Sequence, residues 1–303
     1  MSFKVVGIGE VLWDLFPTGK KLGGAPANFA YHASALGAEA RVISRVGNDE
    51  LGREILARFE ALGLPTDCTS IDLAHPTGTV TVQLAADGQP HFTIHEGVAW
   101  DHLVADSTSL AAVAGADAVC FGSLGQRCAP SNMAIRTMLA ASPAKALRIF
   151  DVNLRQDFYS RELIEGSMEV ANVLKLNDTE LPVLGRLLGV KALADKEQLA
   201  ELAGRFGLRL VVYTCGARGS MLYDGTRWTE HPGRAVEVKD TVGAGDSLTA
   251  AVTMGMLAGW DLETIGERAN EIAAYVCSCE GATPPMPAHL LAPFQKPTLA
   301  GHV

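Results

Sequence analysis

Val173-Leu174-Lys175-Leu176-Asn177 runs without a break into Asp178-Thr179-Glu180-Leu181-Pro182. A short apolar run stopped by a polar turn reads as a buried strand, and residues 178–188 read as the helix that follows it. The same alternation surrounds this unit. Residues 116–122 read as a strand, 131–141 as a helix, 148–153 as a strand, 161–172 as a helix, 196–206 as a helix and 208–214 as a strand. Repeated βα units imply an α/β fold with a mostly parallel central sheet and helices on both faces. Ligands in that architecture sit beyond the C-terminal ends of the strands. Those ends carry Asp151, Asn153 and Arg155, then Asn177 and Glu180, then Thr214 and Gly216.

Working towards the N-terminus, residues 4–9 read as another central strand. Gly7 and Gly9 do not extend to a dinucleotide fingerprint, because Leu12 stands where the third glycine belongs. Residues 10–17 and 21–24 form a hairpin around Thr18-Gly19-Lys20. Gly23-Gly24-Ala25-Pro26-Ala27-Asn28 opens an Ala-rich helix that ends near Leu36, with Gly37 at its C-terminal turn. A strand over 40–46 and a helix over 49–62 follow. Residues 77–85 and 90–95 form a second hairpin around Asp87-Gly88. The two hairpins pair into a small sheet, contributed by residues near 10–24 and 77–98, as an excursion from one domain spanning 1–303. His91, His95 and Trp100 are placed by default on the surface or rim. His32 reads as a packed or exposed helical histidine.

Towards the C-terminus, residues 220–223 and 227–230 form a hairpin around Asp224-Gly225. Residues 235–239, where Val236 and Val238 alternate with charges, read as a half-buried strand. Helices over 247–258 and 262–279 follow, and the proline-rich tail from Thr283 is expected to run over the surface.

Composition narrows the function classes. Across 303 residues the net charge is −9, which argues against a nucleic-acid binder and against binding to anionic membranes. No apolar run reaches membrane-spanning length and no basic-then-apolar leader opens the chain, so a cytoplasmic location is expected. The six cysteines (68, 120, 128, 215, 277 and 279) include no C-x-x-C pair and read as buried free thiols, with a reactive or disulfide-linked pair such as Cys277 and Cys279 as the alternative.

Asp240-Thr241-Val242-Gly243-Ala244-Gly245-Asp246 is a tight glycine turn at a helix N-terminus. Unpaired backbone N–H groups and the positive end of the helix dipole suit such a turn to an anion such as phosphate. An acid beside an anion site costs electrostatic energy. Asp246 is therefore either a base for a nucleophile that attacks a phosphoryl group, or a residue that caps the helix. The loop lacks the lysine of the G-x-x-x-x-G-K-[ST] phosphate loop, which disfavours an ATPase of that type. The other candidates are open in the same way. Asn28 either bonds hydroxyl groups or caps backbone. Asp14 is either a ligand to a polyhydroxyl substrate or an exposed strand residue. Glu180 either holds a metal ion, directly or through water, or simply suits the first turn of a helix.

Four motifs in this order resemble the ribokinase-like (PfkB) family of sugar kinases, over essentially the whole chain. Gly24-Ala25-Pro26-Ala27-Asn28, followed by Gly37 and Gly47, resembles the family's N-terminal signature. The stretch from Asp240 to Asp246 resembles its C-terminal signature. Asn177-Asp178-Thr179-Glu180 resembles the N-x-x-E motif, and Thr214-Cys215-Gly216-Ala217-Arg218-Gly219 the nucleotide-binding T-x-G-x-x-G.

The resemblance implies roles for particular residues. Asp246 would be the general base, with the N–H groups of Gly243, Ala244 and Gly245 as anion hole. Asp14, Gly23, Gly24 and Asn28 would hold the sugar. Asn177 and Glu180 would organise Mg²⁺ and the phosphates of ATP. Thr214, Gly216 and Gly219 would line the nucleotide site, with Asn270 beside the adenosine. Asp240 and Val242 match positions that bind a stimulatory monovalent cation, usually K⁺, in many members. Near Gly281, Pro285 stands where ribokinases often carry serine. The hairpins correspond to a lid that covers the sugar and often forms a homodimer contact. Gly9-Glu10-Val11-Leu12-Trp13-Asp14 and Asp151-Val152-Asn153-Leu154-Arg155 are most similar to bacterial fructokinases, which usually show proline at the position of Val152. The expected reaction is phosphorylation of fructose by ATP. Ribokinase and 2-keto-3-deoxygluconate kinase are the alternatives, and Arg155 would meet a sugar hydroxyl or, in the latter, a substrate carboxylate. A non-enzymatic sugar- or nucleotide-binding regulator is the alternative from another class.

Overall fold

The computed structural model describes residues 2–84 and 90–295. In chain order its elements are β1 (Lys4–Ile8), β2 (Leu12–Phe16), β3 (Gly19–Gly23), α1 (Ala25–Ala35), β4 (Glu39–Gly47), α2 (Glu50–Ala61), β5 (Thr69–Asp72), β6 (Thr79–Leu84) and β7 (Pro90–Ile94). Next come α3 (Ser107–Ala114), β8 (Ala118–Gly122), α4 (Ala129–Ala141), β9 (Leu147–Asp151), α5 (Arg161–Val170), β10 (Val173–Asn177), α6 (Leu181–Leu188) and α7 (Asp195–Phe206). The chain ends with β11 (Leu210–Thr214), β12 (Ser220–Tyr223), β13 (Trp228–His231), α8 (Ala244–Leu257), α9 (Leu262–Cys277) and α10 (Ala288–Gln295).

Nine strands form the large sheet, in the order β13-β12-β11-β10-β9-β8-β1-β4-β5. It is parallel from β5 to β11 and antiparallel only at the β12 and β13 edge. The parallel strands are apolar along their length because helices cover both faces. One face packs α1, α8 and α9 around Phe29, Leu248 and Ile272, and the other packs α4 to α7 around Ile135, Leu184 and Leu202. The strand β10 divides its side chains between them: Val173 joins the first core, Leu174 and Leu176 the second.

A four-stranded sheet, β3-β2-β6-β7, stands apart. Its β2 and β6 run parallel, and each hairpin is antiparallel. Leu12, Val80, Val82, Ile94 and Trp100 give it a core of its own. The Asp87-Gly88 turn lies outside the described residues.

Three expectations are corrected. Residues 232–238 form no strand, and Val236 and Val238 are 39% and 58% exposed. The sheet ends at β13, so this stretch has no ladder to join, and the amides of Lys239 and Asp240 instead donate to the Cys277 carbonyl at the end of α9. Trp100 is not a rim residue but fully buried, because it packs into the core of the small sheet and the Arg127 guanidinium lies 4.0 Å over its ring. The tail is not purely a surface strap either. Leu290, Leu291 and Phe294 sit at helical spacing on α10 and pack against the α1–α8–α9 core, while the Tyr31 hydroxyl donates to the Pro284 carbonyl. All six cysteines are free thiols as expected, but only Cys68 and Cys120 are buried, and the other four are half-buried.

Candidate active site

The site begins where α8 begins. Gly243 is its N-cap with φ 80°, and a Cβ there would meet the Ala282 carbonyl oxygen at 2.5 Å. Only glycine fits that left-handed, closely packed position. Among the described residues, the amides of Gly245 and Asp246 have no backbone acceptor, so they face outward as free donors at the positive end of a 14-residue helix. Asp246 does not cap this helix. Its hydrogen bond comes from across the site, where Asn28 Nδ2 donates to Asp246 Oδ2 at 2.8 Å.

Asn28 lies in the first turn of α1, and that turn is equally constrained. Gly24 has φ 119°, and a Cβ on it would meet the Glu10 carbonyl at 2.5 Å. The next residues, Ala25 and Pro26, enter the helix directly. Two helix N-termini, α1 and α8, thus meet at the Asn28–Asp246 bond. Asn28 is 3% exposed, and its Oδ1 has no partner.

Carboxyl groups crowd this meeting point. Burial, and next the field of Asp151, push Asp246 up to about 6, while the Asn28 bond, Lys175 and Arg155 oppose the rise. Burial raises Asp14 on β2 to about 6, against Arg155 and Lys21. Burial raises Glu10 to about 7. Glu10 Oε1 accepts from the Ala25 amide at 3.3 Å, and its Oε2 is buried without a partner. A single guanidinium, Arg155, acts on all three groups. It sits in the loop after β9, between Asn153 at φ 40° and Gln156 at φ 48°, two left-handed positions without glycine. Gln156 Nε2 donates to the Phe92 carbonyl at 2.8 Å, which ties this loop to β7 of the small sheet.

The ends of β10 and β11 lie beside this group, with Asn177 in register with Thr214. Asn177 Oδ1 accepts from the amides of Thr179 and Glu180 at 2.9 and 3.0 Å, which shapes the turn into α6. Glu180 is 4% exposed. Its oxygens accept from the amides of Leu154 at 3.0 Å and Asn177 at 2.8 Å, so it locks the β9 loop to β10. Burial raises its carboxyl while Lys175 lowers it. At Gly219, with φ 87°, a Cβ would lie 1.9 Å from the His231 carbonyl. Gly216 also takes a positive φ of 56°. Asn270, on α9, donates to Ser220 Oγ and the Gly266 carbonyl, both at 2.7 Å. Asp240 accepts from the amides of Val242 and Gly281, both at 3.1 Å, and from Lys21 Nζ at 3.3 Å.

Two charged residues of the site escape a reading by motif. Glu10 hides in a strand-to-hairpin connection. Lys175 hides in an apolar strand, and its ammonium donates to Asp151 Oδ1 at 2.9 Å behind the glycine turn. The only signal for Lys175 is a lysine inside a run that otherwise reads as buried. Together these groups present a buried carboxyl group between two anion-seeking helix ends, with polar groups around it suited to hydroxyls.

Comparison with known proteins bears on the family and the fold. The family described as pfkB family carbohydrate kinase matches residues 10–289. A sugar kinase of Pyrococcus horikoshii is 30% identical over 297 residues, covering 92% of this chain and 91% of that one. Its structure in complex with ATP superposes with a TM-score of 0.81. A fructokinase of Solanum tuberosum is 27% identical, covering 93% and 92% of the two chains. The structure of a fructokinase with bound ATP from Xylella fastidiosa has a TM-score of 0.85 at 22% identity, over 96% of this chain and 98% of that one, a likeness of fold.

Proposed function

Since the chain belongs to the pfkB family of carbohydrate kinases, we propose that it transfers the γ-phosphoryl group of ATP to fructose, giving fructose 6-phosphate and ADP. The observation that supports this reading most directly is the Asn28–Asp246 bond of 2.8 Å between the first turns of α1 and α8. It sets a carboxylate next to free amides, as a base must sit when its hydroxyl attacks a phosphoryl group bound at those amides. In this reading Asp246 accepts the proton of the attacking hydroxyl. The oxygen bonds to phosphorus and ADP leaves as the P–O bond to it breaks. The amides of Gly243 and Gly245, with that of Asp246, receive the charge on the equatorial oxygens, whereas the Ala244 amide expected to join them already donates to the Thr241 carbonyl at 3.3 Å.

Asp14, Gly23, Gly24 and Asn28 hold the sugar, and Arg155 orients one of its oxygens. Thr214, Gly216 and Gly219 line the nucleotide site. Asn270 shapes that site from behind through Ser220. Both oxygens of Glu180 already accept backbone N–H bonds, and among the described residues no cluster of three or more His, Cys, Asp or Glu side chains could hold a metal. This donor set suits Mg²⁺ held mainly by nucleotide phosphates and water, with Asn177 and Glu180 orienting that water. When bound, the ion neutralises phosphate charge. A monovalent cation at Asp240 and the Val242 carbonyl would compete with Lys21. The small sheet acts as a lid and as the contact between two copies of the chain, which light scattering tests by mass.

Arg155 beside Asp14 favours a second reading, an acidic sugar such as 2-keto-3-deoxygluconate. A panel of fructose, ribose, 2-keto-3-deoxygluconate, tagatose and adenosine decides between them. Fructose should give the highest kcat/KM, and a higher value for another acceptor replaces the assignment. ADP release that ignores every sugar would favour a regulator over a kinase. No helix among the described residues is long and apolar enough to cross a membrane.

A further inference from the structure

Lys175 is a lysine where lysines rarely sit. It occupies the middle of β10 and is 6% exposed. Burying an ammonium is costly unless it is paired and has work to do there. One partner is plain: Asp151 Oδ1 at 2.9 Å, while Thr249 Oγ1 of α8 donates to Asp151 Oδ2 at 3.3 Å. A simple buried ion pair would end there.

The surroundings go further. A Cβ added to Gly245 would lie 3.0 Å from Lys175 Nζ and 3.7 Å from its Cε. The ammonium therefore abuts the glycine turn itself, and Gly245 leaves the room it needs. The charges around it do not balance either. Asp151, Glu180 and Asp246 all act on Lys175, one buried cation among three carboxyl groups. Phosphate loops with a lysine of their own carry it in the turn. This turn has none, and the neighbouring strand delivers one from below.

We propose that Lys175 is the cation of the glycine turn, a positioning residue that keeps Asp246 ionised beside Asp151 and steadies the anion hole at Gly245. The proposal rests on the reading of Asp246 as base. The groups that face Asp246 are Glu10 after β1, Cys120 on β8, Asp151 on β9, Arg155 in the following loop, Lys175 on β10 and Asn28 on α1. Of these only Lys175 and Arg155 are positive, and only Lys175 is buried.

The test is kcat and KM against pH for the wild-type chain, K175M, K175R, D151N, K175M/D151N and D246N, each with a thermal melt. In K175M the acid limb of kcat should move up by about one pH unit. Its kcat should fall about twofold at pH 7 and about tenfold near pH 5, with KM for the sugar little changed. K175R, which keeps the charge, should keep the wild-type limb. A folded K175M whose limb coincides with that of the wild type overturns the proposal. So does a loss that is uniform across pH, since that is what a merely structural pair would give. If K175M does not fold, the comparison passes to D151N and K175M/D151N, where no orphaned Asp151 remains. The limb of the double variant should lie above that of D151N, and coincidence of the two overturns the proposal. Full turnover in D246N removes the base reading and the proposal with it. An inactive D246N with an unmoved limb in K175M removes the role of Lys175 alone.

Discussion

Two buried ion pairs can be set side by side, Arg127–Asp101 and Lys175–Asp151. The first is bidentate, at 2.7 and 2.8 Å, with side chains 2% and 0% exposed. The Arg127 plane is sandwiched by Trp100 at 4.0 Å and Phe158 at 4.6 Å, and it reaches the His95 carbonyl at the end of β7. It joins the small sheet to the loop after β8. The other pair makes one contact, at 2.9 Å, and its ammonium also lies in the field of Glu180 and Asp246. One pair is balanced and enclosed by rings, which suits a joint. The other is short of positive charge and open to the site, which suits the tuning of a base. Burial alone therefore does not tell a structural ion pair from one that belongs to an active site; the charge left over does.

The largest effect should come at the end of the unbalanced pair's reach. D246N should lower kcat by about 10³-fold while ATP affinity, measured by calorimetry, changes little. A folded D246N with near-normal turnover would dissolve the contrast, because nothing would then need tuning. The balanced pair should answer in stability instead. R127M leaves Asp101 as an orphaned buried charge and should cost about 3–5 kcal/mol in urea unfolding. The acid limb of kcat in surviving R127M should not move, and a shifted limb would mean that the joint also tunes the site.

Glu10 tests the same excess of negative charge from a third side. Its folded carboxyl titrates at about 7, above its ordinary value of 4.5, so ionisation is disfavoured in the folded state. The group therefore costs no stability at low pH, and its cost grows as pH rises towards 7 and persists above. E10Q should raise the melting temperature more at pH 8 than at pH 5, by an amount worth at most about 3 kcal/mol. An equal change at both pH values would contradict this. The smallest effect concerns Asp240, where Lys21 already supplies a cation at 3.3 Å. Replacing K⁺ by a bulky organic cation in the assay should change turnover within about threefold, and K21A should make it more sensitive. Strong K⁺ dependence in the wild type would show that Lys21 yields the site.

What the chain discloses before folding follows the range of the physics involved. The βα units from residue 116 onward and both glycine turns are legible because strand burial, helix entry and left-handed glycines are local matters. The likeness of four motifs supplied the family, and with it the expectation that Asn28 and Asp246 share one site although 218 residues separate them. Lys175 was not legible as a site residue, because its neighbours Leu174 and Leu176 make the run read as plain core and its partners come from β9, α6 and α8. Trp100 misled because its burial is tertiary, between the core of the small sheet and the Arg127 guanidinium. Residues 235–239 misled because alternation predicts a strand only where a neighbouring strand is free to pair.

The measurement that bears most directly on the assignment of Asp246 is the pH dependence of kcat for fructose phosphorylation at saturating ATP, in the wild type and in D246N. Asp246 titrates at about 6, so wild-type turnover should fall as pH drops through that value, and the residual activity of D246N should lack the limb. A wild-type limb near pH 4, or the same limb persisting in D246N, would contradict the assignment of Asp246 as the base tuned by its charged neighbours.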